Sequence, residues 1–149
     1  MTLSVPSTSI QYAFDEDCSM HAERIAARRK NVLVVDDDQS VAELATETLL
    51  RAGFGALFAF DAYAGMRTLE QNKGIELLFT DVVMPRVDGF RFADMATARW
   101  PTLRVLYATA HVGLARELHA AGELHGRILD KPYRAASLLA AVKASLGQE

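Results

Sequence analysis

The chain has 149 residues, half of them hydrophobic and 23% charged, with a formal net charge of −3. That is enough for one domain with its own core. A mildly acidic balance excludes a general nucleic-acid or membrane-surface binder, which needs a basic excess.

Residues 1–30 are expected to be an N-terminal extension, flexible over 1–18 and partly helical after that, with Ser19 as N-cap of a short helix through Arg29. A solvated tail and a docking or dimer-forming arm both fit its composition. Cys18 is the chain's single cysteine, which rules out an internal disulfide and fits a reducing, cytoplasmic setting. The first residues lack the basic start and apolar core of a secretory signal, and no apolar run approaches the roughly 18 residues of a membrane span.

From Asn31 strands and helices alternate. Val32–Val35 is a short apolar run rich in β-branched residues, followed by helical spacing over 39–52 with Val41, Leu44, Ala45, Thr48, Leu49 and Ala52 on one face and Gly53 as the stop. A strand over Ala56–Phe60, a helix over Ala62–Asn72 capped by Asp61, and a strand over Leu77–Thr80 come next. The spacing then predicts a helix over Phe90–Trp100 stopped by Pro101, a strand over Leu103–Tyr107, and a helix over Val112–Ala121 weakened by Gly113. A strand over Arg127–Leu129 and a helix over Ala135–Leu146 end the series. Five βα units with unbroken apolar strands predict an α/β domain over 31–149, a parallel sheet covered on both faces.

Ligands of open α/β sheets bind at the carboxyl ends of the strands. Those ends carry Asp36-Asp37-Asp38, Asp81, Thr109 and Lys131-Pro132, all on one edge of the sheet. Taken singly each is bland: a loop aspartate, a helix cap (Asp38 above all), a strand-end threonine, a surface turn. Together they make a site. Asp36, Asp37 and Asp81 repel one another unless a cation joins them, and an all-oxygen set selects a hard ion such as Mg²⁺, with the Val83 carbonyl as a further oxygen. An aspartate beside Mg²⁺ suits phosphoryl transfer, with Asp81 as nucleophile and Lys131, Thr109 and nearby N–H groups holding the product's oxygens.

The stretches "VLVVDDD" (32–38), "TDVVMPRVDGF" (80–90), "YATA" (107–110) and "LDKPY" (129–133) resemble the receiver domain of bacterial two-component response regulators. The resemblance covers nearly all of the chain after the extension. It implies a flavodoxin-like, doubly wound sheet of order 2-1-3-4-5 with five helices. It also implies that Asp81 is the phosphoacceptor and that Asp36, Asp37 and the Val83 carbonyl hold Mg²⁺. Thr109 becomes the switch hydroxyl, Lys131 the partner of the phosphoryl group, Lys131-Pro132 a cis bond, and Gly89 the residue that lets the loop turn.

The implied donor is a phosphohistidine on a sensor histidine kinase or a histidine phosphotransferase, docking on the first helix. The implied output is an unknown downstream protein that binds the fourth-helix, fifth-strand, fifth-helix face. With no helix-turn-helix after the fifth helix, the expectation is a stand-alone receiver. It binds neither DNA nor membrane, exists as a monomer or weak homodimer, and is not a turnover enzyme.

Two positions depart from the family pattern. Ile128 stands where many receivers carry a switching Phe or Tyr; Tyr107 and Tyr133 are nearby but fit core or rim positions. Val83 and His111 flank the path of an attacking water, and Val83 cannot position one, so a long-lived phosphoryl group is expected. Haloacid-dehalogenase-type phosphatases use similar parts but place the nucleophile after the first strand as Asp-x-Asp. A phosphorylation-independent interaction module remains as the alternative, although such proteins usually lose the reactive residues that this chain keeps.

Overall fold

The computed structural model describes residues 31–147. The expectations for the extension, including the helix after Ser19, lie outside the described residues. The elements are β1 (Asn31–Val35), α1 (Gln39–Arg51), β2 (Gly55–Ala59), α2 (Ala62–Gln71), β3 (Ile75–Asp81), α3 (Gly89–Arg99), β4 (Arg104–Thr109), α4 (Val112–Ala120), β5 (Gly126–Asp130) and α5 (Ala135–Ser145). All strand pairings are parallel and the sheet order is 2-1-3-4-5.

The strands are apolar throughout because both faces are covered. On β1, Val32 and Val34 face α1 and α5, packing with Ala45, Leu49, Leu138 and Val142. Leu33 and Val35 face α2 and α3, packing with Ala64, Leu69, Phe92 and Ala96. Strand periodicity of two thus divides one run between two cores. Burying a single side chain of this kind stabilises by about 1.5–3 kcal/mol.

Three helices begin on an aspartate cap, as Asp38, Asp61 and Asp88 accept from the backbone N–H of Val41, Ala64 and Arg91. Asp38 and Asp61 were expected to do so; Asp88 was not.

One helical face differs from expectation. The buried stripe of α1 is Ala42, Ala45, Thr46 and Leu49, whereas Leu44 is 66% exposed and Ala52 is also exposed. The reason lies in the neighbour. Helix α5 packs on only part of α1, so Val41, Leu44 and Thr48 line an open apolar groove of about 420 Å³ between the two helices.

Strand bounds also shift. β3 begins at Ile75, and β3 and β4 run on to include Asp81 and Thr109, so these two polar residues are strand ends and not loop residues. Among the described residues no helix is long and apolar enough to cross a membrane.

Candidate functional site

Register brings the polar ends together. Val35 pairs with Thr80, so Asp36 continues beside Asp81. Asp81 pairs with Ala108, and Thr109 with Asp130, so Lys131 emerges next to the end of β4. The Lys131 N–H donates to the Thr109 carbonyl at 2.9 Å, which fixes the start of the following turn. The Lys131-Pro132 bond is cis.

The side chains then converge. Lys131 Nζ donates to Asp36 Oδ2 at 3.0 Å and lies 3.3 Å from Asp81 Oδ2. Carboxylate oxygens of Asp36, Asp37 and Asp81 all lie within 4.8 Å of one another. Asp36 and Asp81 are buried and Asp37 is exposed. Asp36 Oδ1 also accepts from the Asp38 N–H at 2.9 Å, which aims the carboxylate while Asp38 caps α1. With all three ionised, three negative charges face one ammonium, leaving an excess of two on an all-oxygen set. A hard divalent cation such as Mg²⁺ fits that excess and that chemistry.

The electrostatics carry the same tension. Burial pushes the Asp81 carboxyl above its ordinary value; the Asp36 charge adds to this, Lys131 opposes it, and Asp37 raises it further. For Lys131, burial pulls downward, but the bonds and charges of Asp36 and Asp81 outweigh it and hold the ammonium above its usual value.

Behind Asp81 the loop is drawn tight. The Gly89 N–H donates to the Val82 carbonyl at 2.8 Å, and a Cβ on Gly89 would stand 2.1 Å from the Asp81 carbonyl oxygen. Close approach, not an unusual φ, is therefore why glycine sits there. The loop's left-handed residue is Arg86, at φ 71°, a position with no sequence signal. Val83 is 57% exposed on this loop.

Thr109 is buried at the same edge, but its hydroxyl accepts from the His111 N–H at 2.9 Å and makes no hydrogen bond to Asp81. Tyr133 is half-buried, edge-on to Phe79 at 5.7 Å, and its phenol is pushed up to about 12 by burial and then by the Asp36 and Asp81 charges.

Tyr107 is fully buried against Phe90, its hydroxyl accepting from the His125 N–H at 3.3 Å, while the His125 ring meets Asp94 at 2.7 Å. This Tyr107–His125–Asp94 chain links β4, the loop before β5 and α3. The sequence holds no spacing that would reveal it, because the three residues lie on separate elements.

The family model described as "response regulator receiver domain" matches residues 32–143. This chain belongs to the response regulator receiver domain family, a module of two-component signalling. It is similar to the response regulator protein FleR of Pseudomonas aeruginosa, 33% identical over 118 residues, covering 78% of this chain and 25% of FleR. It is similar also to the response regulator receiver protein CpdR of Brucella abortus, 27% identical over 117 residues, covering 78% of this chain and 97% of CpdR. It thus spans about a quarter of one relative and nearly all of another. Among solved structures, the Vibrio cholerae chemotaxis protein CheY4 superposes with a TM-score of 0.73 at 22% identity, over 78% of this chain and 98% of that one. That likeness bears on the fold alone.

Proposed function

We propose that Asp81 accepts a phosphoryl group from a phosphohistidine on a sensor histidine kinase or histidine phosphotransferase. The observation that carries the proposal is Lys131 Nζ between the Asp36 and Asp81 carboxylates, 3.0 and 3.3 Å away. Its ammonium is positioned to pass from a carboxylate to a phosphoryl oxygen as charge moves outward.

An Asp81 carboxylate oxygen attacks phosphorus, the P–O bond forms, the donor's P–N bond breaks, and the electron pair stays on the imidazole nitrogen. Little covalent work falls to the protein beyond holding Asp81 ionised and in line. Asp36, Asp37, Asp81 and the Val83 carbonyl would hold Mg²⁺, which when bound supplies charge neutralisation for the phosphoryl oxygens. The Thr109 hydroxyl turns from the His111 N–H to a phosphoryl oxygen and so reports the modification to the loop between β4 and α4.

The signal then passes by protein–protein contact or along a phosphorelay, in the cytoplasm, without DNA binding and without turnover of an outside substrate.

Incubation with acetyl phosphate and Mg²⁺ followed by intact-mass measurement tests the proposal. The expected result is a gain of one phosphoryl mass, absent in Asp81→Asn. An unchanged mass for the native chain would favour a receiver-like module that binds its partner without phosphorylation.

A further inference from the structure

Among the described residues β5 is an edge strand, paired only with β4. Two open hollows, about 540 and 570 Å³, run along it and the outer side of α5. Their floor is partly apolar: Ile128, Leu129 and Leu139 are half-buried there. Their rim is basic. Arg116, Arg127, Arg134 and Lys143 line the two hollows, all are exposed, and among the described residues Asp130 is the one acidic side chain lining either. None of these four cations forms an ion pair among the described residues, whereas Arg51, Arg99 and Lys131 each meet a carboxylate. A cationic apolar face on a chain of net charge −3 calls for an acidic, partly apolar occupant.

The chain itself contains one. In Ile10-Gln11-Tyr12-Ala13-Phe14 the large apolar residues fall at every second position, and Asp15-Glu16-Asp17 follow directly. In extended form that places Ile10, Tyr12 and Phe14 on one side, with three carboxylates at the end.

Reach permits the contact. From Asp17 to Asn31, where β1 starts, the chain can span about 45 Å at roughly 3.3 Å per residue. The outer side of β5 is only about 20 Å from β1 at strand spacings of about 4.8 Å. We infer that residues 10–17 dock in cis on the β5–α5 face, Ile10, Tyr12 and Phe14 against Ile128 and Leu139, and the carboxylates of 15–17 against the basic rim. Any partner that uses this face must displace the chain's own segment. The inference does not depend on the role of Asp81, and its test involves no phosphorylation.

Cys18, the chain's single cysteine, adjoins the acidic residues and takes a nitroxide label in the otherwise native full-length protein. In NMR spectra of the labelled protein, amide signals of 127–130 and 136–143 are expected to broaden most. The broadening should persist on tenfold dilution and be lost in Asp15→Lys/Glu16→Lys/Asp17→Lys. Broadening centred on Val41, Leu44 and Thr48 would place the segment in the α1–α5 groove and overturn the inference. So would recovery on dilution, which would point to a second copy, or even broadening with no preferred site.

Discussion

The Lys131 ammonium is bonded to the Asp36 carboxylate at 3.0 Å across 95 residues of sequence, and it is the one cation among the described residues that also reaches Asp81. Removing it leaves two buried carboxylates facing each other. Lys131→Ala is expected to lower the stability of the metal-free protein by about 1–3 kcal/mol, and to slow phosphoryl uptake more than Lys131→Arg does. Urea unfolding in EDTA and initial rates with acetyl phosphate check the two parts.

Asp81 behaves in the opposite way. Its carboxyl is raised by burial and by Asp36, so its contribution favours the folded state below its unfolded value near 3.8 and is lost as pH rises through the folded value. At neutral pH the ionised group therefore costs stability. Asp81→Asn is expected to stabilise the metal-free protein by on the order of 1 kcal/mol at pH 7, a rise of a few degrees in Tm, with the advantage shrinking toward pH 4. Thermal melts of both proteins across that range in EDTA test the sign. Mg²⁺ should narrow the gap, since it stabilises the native chain more than the variant.

Gly89→Ala is expected to destabilise by about 1–3 kcal/mol, because the added Cβ meets the Asp81 carbonyl oxygen at 2.1 Å and α3 must shift to admit it. Since the same shift moves Asp81, acetyl-phosphate uptake should fall in the folded variant as well. Wild-type uptake at full folding would contradict this account of the loop.

Much of this could be read from residue order. Unbroken apolar runs such as Val32–Val35 carry the strand signal, and strands alternating with helices then force every strand's polar end onto one edge. That geometry carries Asp36, Asp81, Thr109 and Lys131 to the same edge. What resisted reading depends on partners distant in sequence. The exposure of Leu44 reflects how far α5 covers α1, and the Tyr107–His125 bond joins residues 18 apart. The left-handed backbone at Arg86 carries no residue-type signal, because arginine is not a residue that favours it.

Tyr107 offers an alkaline check. Its phenol is pushed up to about 12, first by burial and then by the Asp94 charge, against the lowering effect of the His125 N–H. Stability tied to it is present below about pH 10 and lost as pH rises through about 12. Native protein should unfold in that window, and Tyr107→Phe should move the transition upward while exposing the His125 N–H to exchange. Circular dichroism against pH and amide exchange are the measurements.

Val83 is exposed and apolar beside Asp81, and so cannot align a water for hydrolysis. The phosphoryl group is expected to persist for minutes or longer, and Val83→Asn should shorten its lifetime severalfold. A native half-life of seconds would show that another group, His111 foremost, positions the water.

The most direct measurement is to trap the modified residue itself. After reaction with acetyl phosphate and Mg²⁺, borohydride reduces an aspartyl phosphate to homoserine, and peptide mass mapping then locates it. The account predicts homoserine at position 81 and nowhere else, dependent on Mg²⁺; phosphoryl uptake with Asp81 unconverted, or conversion at another carboxylate, would contradict it.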